Sequence, residues 1–148
     1  MTPLSTFALL LFALVSLLSA ARRPKKLFFN MTESTDLPII QKAYDLIKWY
    51  IPIINRLPRE HKHVLGERLS HNLYDLLDSL IIARYAREKV QILTSLNSKI
   101  DVLRYQSRLL LDFGLMDDQR FAHTTKLITG IGQELGGWLK QQQTKQRS

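Results

Sequence analysis

The chain has 148 residues, 45% hydrophobic and 23% charged, which fits one folded domain and argues against a disordered, collagen-like or fully membrane-embedded chain. The absence of cysteine excludes a disulfide framework, a thiol nucleophile, a cysteine zinc site and an iron–sulfur cluster. The formal charge is +8, but Arg22, Arg23, Lys25 and Lys26 carry four of the 21 positive charges, and all 13 acidic residues follow Met31. From Met31 onward 17 basic residues face 13 acidic ones, a surplus of four that favours a phosphate-rich or acidic partner.

Residues 7–18 read FALLLFALVSLL, followed by the small residues Ser19, Ala20 and Ala21 and then by ARRPKK. The apolar run and the small-residue site are those of a secretory signal peptide. No positive charge precedes the run, however, and the charges beyond it favour keeping the downstream part in the cytoplasm. The stretch from Leu4 to Ala21 also falls short of the ~20 residues a spanning helix needs. The readings are therefore a signal peptide, a strained signal-anchor within residues 1–21, or a translation start at Met31, where MTESTDLPII opens as a soluble protein does. We favour the third, with residues 1–30 a leader, residues 31–148 the domain and the cytoplasm its location. Under the other two the chain is membrane-anchored or exported.

Beyond Met31 apolar residues recur at spacings of three and four almost to the end, which is a helical pattern. Asp36, Leu37 and Pro38 suit a helix start, and Ile40, Ala43, Tyr44, Ile47, Ile51 and Ile54 then fall on one stripe. Pro52 should kink or end that helix. Pro58 opens a second helix, with Leu65, Leu69, Leu73, Leu76, Leu80 and Ala83 on its stripe and Leu77 and Ile81 beside it. A phase change between Arg84 and Lys89 separates it from a third, which carries Leu93, Leu96, Ile100, Leu103, Ser107 and Leu110. Phe113, Gly114 and Leu115 end the third as a left-handed glycine cap followed by an apolar contact. Asp117 and Asp118 offer carboxylates to the free amides of a fourth helix, whose stripe is Phe121, Thr125, Ile128, Ile131, Leu135 and Leu139, before a polar tail QQQTKQRS. Helices two to four each run ~25 residues, or ~37 Å. The expected fold is all-α, an up-and-down antiparallel four-helix bundle.

His63, Glu67 and His71 share one face of helix two, but no fourth ligand is identifiable, so neither a metal nor a cofactor is expected. His61 and His63 point to nearly opposite sides, and His123 belongs to no nucleophile–base order, so no catalytic residue is expected either. Gly130, Gly132, Gly136 and Gly137 lie in a helix rather than after a strand, which argues against a phosphate-cradling loop and for close helix approach at Gly132, Gly136 and Gly66. Asn72 falls near a core stripe, where its amide needs partners. Arg104 and Arg108 lie one turn apart, as do Arg84 and Arg87, with Asp101 placed to answer Arg104 and Glu88 to answer Arg84. Together with Arg56, Arg59, Lys62, Arg68, Lys89 and Lys99 they form either a phosphate-binding surface or a solvated face of mixed charge.

IPIINRLPREHKHVLGERL, LLDSLIIARYAREK, NSKIDVLRYQSRLLLDFGLM and the closing IGQELGGWL together resemble the accessory variability determinant (Avd) proteins of diversity-generating retroelements. These sit within a wider group of prokaryotic four-helix bundle proteins related to the ribosomal-RNA intervening-sequence proteins. The resemblance covers roughly residues 38–140. It implies a non-enzymatic accessory factor, a basic homopentamer that binds the element's reverse transcriptase and template RNA and supports mutagenic retrohoming. It also implies Arg59, Lys62, Arg68, Arg84, Arg87, Arg104 and Arg108 as RNA- or partner-binding candidates. Members of the group begin close to helix one and lack an apolar leader. The alternative reading is a membrane-anchored or exported helical-bundle adaptor. Self-association is expected independently, because Leu77, Ile81, Ile82, Val102 and Leu109 cannot all face one four-helix core.

None of the stripes draws on the leader, so a chain beginning at Met31 should be soluble, strongly helical and cooperative in melting. Recovery of folding only on restoring residues 1–30, measured by circular dichroism, would refute this.

Overall fold

The structure, a computed structural model, describes residues 37–147 together with Leu10, Leu11, Ala13 and Leu14. The chain divides into two units, Met1–Thr35 and Asp36–Ser148. The four described residues of the first are helical. Apart from those four residues the signal-like leader lies outside the described residues, as do the basic cluster after it, the start at Met31 and the cap residue Asp36.

In the second unit Pro38 takes the first position of α1, Pro38–Asn55, where its missing N–H costs nothing. The helix continues through Pro52 to Asn55, so the proline neither ends nor shortens it; Pro52 sits on the exposed side. The buried face of α1 is also rotated from the expected stripe. Ile39, Leu46, Tyr50 and Ile53 join Ala43, Ile47 and Ile54 in the core, whereas Tyr44 is exposed and Ile40 and Ile51 are only half-buried.

Helix α2 is a rod over 59–85 in three pieces: a turn Arg59–His61, a π-helical stretch Lys62–Gly66 and an α-helix Glu67–Tyr85. The expected regular helix is thus broken near its start. A π stretch widens the turn, and Gly66 lies so close to the end of α1 that a Cβ there would stand 3.2 Å from Leu57 Cδ1 and 3.3 Å from Ile54 Cγ2. From Leu65 onward the expected stripe is the buried one. Leu77 packs half-buried against the core, so it is not among the surplus apolar positions.

Helix α3, Val90–Asp112, buries all six expected residues. It ends in a Schellman motif. Gly114 takes φ 68°, Leu115 N–H reaches Leu110 O at 2.8 Å, and Gly114 N–H reaches Leu111 O at 2.9 Å. Asp117 then caps α4, Asp118–Arg147, by accepting the Arg120 amide at 2.8 Å. Two expectations for α4 need correction. Thr124 rather than Thr125 enters the core, and the stretch QQQTKQR is helical rather than a separate tail. At 30 residues α4 is ~45 Å long.

Each helix packs on its neighbour in sequence and α1 closes against α4, so among residues 37–147 four helices and no strands make the all-α bundle that the periodicity implied. One end holds the α1–α2 and α3–α4 junctions, where His61 stacks on Phe113 at 5.8 Å. The other holds the α2–α3 turn and the last turn of α4, joined by Gln146 Nε2 donating to Glu88 Oε2 at 3.0 Å.

The core is leucine-rich and apolar except for one polar layer, whose side-chain polar atoms are all paired among the described residues. Ser107 donates to Leu103 O at 2.6 Å, which leaves the Tyr50 hydroxyl to donate to Ser107 Oγ. Trp49 Nε1 donates to Thr124 Oγ1 at 2.9 Å, tying α1 to α4. Burial pushes the Tyr50 phenol up to about 12 from 10.0, against the opposing hydrogen bonds of Ser107 and Thr124. An unfolded tyrosine ionises near its ordinary value, so the folded state gains about 2–3 kcal/mol from keeping Tyr50 neutral. That gain is full below pH 10 and is lost as pH rises to about 12. Melting the native chain and Tyr50→Phe across this range should show the steeper alkaline loss in the native chain; parallel curves would refute the assignment.

Candidate nucleic-acid and partner interface

The seven candidate cations fall into separate groups. Arg59 and Lys62 stand at the start of α2, with Lys62 Nζ donating to Asn55 O at 3.4 Å, across the end of α1. Arg68 lines a shallow groove between α2 and α3 together with His71, Asn72 and Gln106. Arg84, in the last turn of α2, and Arg87, in the α2–α3 turn, stand at the opposite end of the bundle from Arg59. Arg104 and Arg108 share a groove of about 420 Å³ between α3 and α4, floored by Ile128 and flanked by Tyr105 and Phe121. The structure therefore brings the pairs together but does not join them into one face.

Their electrostatic settings differ as well. Arg104 Nη1 bonds Asp101 at 2.6 Å, as expected, and Arg108 Nε lies 3.6 Å from Asp112. Both guanidinium groups are thus neutralised locally, and such exposed pairs contribute little stability. A Cβ on Gly132 would stand 3.1 Å from Arg104 Nη2, the tip of a flexible side chain that can give way, so the close helix approach expected there reduces to one side-chain contact. Gly136, the other glycine expected at a close approach, faces open space. Arg84 lies with its guanidinium carbon 5.4 Å from the centroid of the Tyr85 ring, a cation–π geometry.

Other basic residues are engaged in architecture. Lys99 Nζ bonds Asp75 Oδ2 at 3.0 Å across α2 and α3, and this hydrogen bond holds the Asp75 carboxyl below its ordinary value. Lys42 bonds Glu134 at 2.6 Å across α1 and α4. Lys89 donates to Ala83 O, Arg84 O and Ala86 O at 2.8, 2.8 and 2.6 Å. It is the cap that stops α2 where neither glycine nor proline stands, because these last carbonyls have no amide partners of their own. Asn72 Nδ2 finds its partner in Gln106 at 3.1 Å.

The histidines are likewise placed by local contacts. His63 Nδ1 bonds Glu67 at 2.9 Å, and His71 lies 3.4 Å from Asp75 rather than beside His63. His123 packs its ring 4.3 Å from that of Trp49. Among the described residues no three His, Asp or Glu side chains converge as a metal set, and none of their helices is long and apolar enough to cross a membrane.

Sequence reasoning passed over three features here. Tyr85 is 77% exposed beside Arg84, Lys89 is a cap, and Asp112 answers Arg108. The four-residue spacing of Arg108 and Asp112 is a signal that was legible; the capping role of Lys89 depends on the path of the turn and was not.

The class defined by these features is an α-helical bundle whose polar and basic surface is distributed over grooves and ends. The family profile described as bAvd-like matches residues 37–142. The match takes in all four helices, and the chain belongs to that family, an accessory kind of protein of diversity-generating retroelements. A search among curated proteins finds no match.

Lys89→Met keeps the aliphatic stem but leaves three carbonyls without their donor. It should lower stability by about 1–2 kcal/mol, whereas Arg87→Gln should stay within about 0.5 kcal/mol. Denaturant unfolding compares them, and equal midpoints for the two variants would deny Lys89 its role.

Proposed function

We propose that the chain is a non-catalytic accessory factor that assembles with itself and binds a retroelement's reverse transcriptase and template RNA, supporting mutagenic retrohoming in the cytoplasm. The observation that carries this is the bAvd-like match across residues 37–142. The charge balance supports it, since the surplus of basic over acidic residues persists beyond Met31 and suits a phosphate-rich partner. Exposed apolar side chains support the assembly. Ile81 and Ile82 on α2 and Val102 and Leu109 on α3 are 41, 60, 45 and 40% exposed in the single chain. Covering such positions between protomers is favourable at about 25 cal/mol per Å² of apolar surface, and an interface of ordinary size outweighs the cost of association. The pentamer implied by the sequence resemblance is the assembly we propose, with the chemistry of DNA synthesis left to the reverse transcriptase.

The test is to mix the purified chain with the reverse transcriptase and template RNA of an Avd-encoding retroelement. Light scattering should give a mass near that of a pentamer, and both partners should co-elute with it. A monomer at tens of micromolar that retains neither partner would overturn the reading.

A further inference from the structure

The candidate cations cease to be equivalent once their surroundings are compared. Arg104 and Arg108 have carboxylates beside them, and Lys62 and Lys89 face backbone carbonyls. The end of the bundle at the α1–α2 junction mixes Arg56, Arg59 and Lys62 with Glu60, Asp112, Asp117 and Asp118. Among the described residues the opposite end carries fewer acids. There the α2–α3 turn brings Arg87 and the acid Glu88, and the last turn of α4 brings Lys145 and Arg147, while Arg84 at the end of α2 is engaged already. The hydrogen bond from Gln146 to Glu88 holds the two elements side by side and occupies that carboxylate.

Helix dipoles favour cations in the last turns of α2 and α4. They do not account for Arg87, which lies outside a helix, or for an aromatic ring left bare among these charges. Tyr85 is 77% exposed, matched among the described large apolar side chains only by Tyr105 at 76%, whose neighbours Arg104 and Arg108 both have carboxylates beside them. The Arg84 guanidinium lies 5.4 Å from the Tyr85 ring centroid, and the exposure of the side chain leaves room for a further planar group.

We propose that this end of the bundle binds an unpaired segment of RNA, with a base stacked on Tyr85 and the flanking phosphates met by Arg87, Lys145 and Arg147. The inference rests on the RNA-binding reading above and narrows it to one end of the bundle and to single strands. Every base has a stacking face, so a bare aromatic ring among cations accepts a single strand with little regard to sequence. A duplex keeps its bases stacked on one another and offers the same end only phosphates. The ring and the charges therefore make separable contributions.

The experiment uses the full chain, a fluorescent oligoadenylate, and the same strand annealed to its complement, with anisotropy read across a salt series. Tyr85→Ala should weaken the single strand about 5- to 100-fold while leaving the duplex unchanged, and Tyr85→Phe should restore single-strand binding. Arg87→Gln, Lys145→Gln and Arg147→Gln should each lower the log–log salt slope for the single strand by about 0.7. Circular dichroism melts keep loss of folding from passing for loss of binding. Native binding that survives Tyr85→Ala and the three charge changes, but falls with Arg104→Gln and Arg108→Gln, would overturn this inference and leave the RNA-binding reading standing. No binding of either RNA by the native chain would overturn both.

Discussion

The hydrogen-bond chain from Tyr50 through Ser107 to the carbonyl of Leu103 fixes what the leucines around it leave free. Apolar burial drives the helices together but is non-directional, so a seam of leucines tolerates small slides and rotations of one helix against the next. A hydroxyl in an apolar core does not, because losing its partner there costs the full desolvation of the group. Tyr50 on α1 and Ser107 on α3 therefore set the register of two helices that stand across the core from one another. Trp49, adjacent in sequence, adds α4 through Thr124. One polar layer ties three of the four helices, and α2 is held by Asn72 to Gln106 and by Asp75 to Lys99 nearer the surface.

The same layer marks where periodicity stops being informative. On α2 and α3 the buried stripes are those the spacing indicates, with further apolar residues left on the outside. On α1 the apolar residues spread wider than the buried stripe, with Ile40, Tyr44 and Ile51 beside it, so spacing alone does not choose between Tyr44 and Tyr50. The choice falls on Tyr50 because Ser107 is placed to accept from its hydroxyl, a fact about another helix. Thr124 over Thr125 follows for the same reason, since Thr124 answers Trp49. Gly114 and Asp117 were legible because a left-handed cap and a side-chain cap are local chemistry. The π stretch at Lys62–Gly66 was not, because it arises from the fit of Gly66 against the end of α1.

Charge divides in a similar way. A sequence can be counted for cations, and pairs three or four residues apart can be anticipated, as Asp101 with Arg104 was. Pairs between helices require the fold: Lys42 with Glu134 and Lys99 with Asp75 are separated by 92 and 24 residues. Once those pairs and the cap made by Lys89 are set aside, the basic character of the chain is less a face than a set of separate positions. The net charge of the whole chain therefore says more about the class of partner than about where that partner sits.

A bundle of this kind has two sorts of surface to offer, and they suit different tasks. Its sides are long and carry exposed Ile82, Val102 and Leu109, which favour contact with other helices. Its ends are small, polar and formed by turns, which can change composition without disturbing the seams between helices. In an assembly built through the sides, as proposed here, the ends stay accessible and each is repeated once per protomer. A weak contact at one end then acts with its neighbours at high effective concentration, provided a flexible strand can span from one to the next. Single-stranded RNA meets that condition better than a rigid duplex does. An accessory protein of 148 residues can in this way hold a nucleic acid firmly without any one protomer binding it tightly.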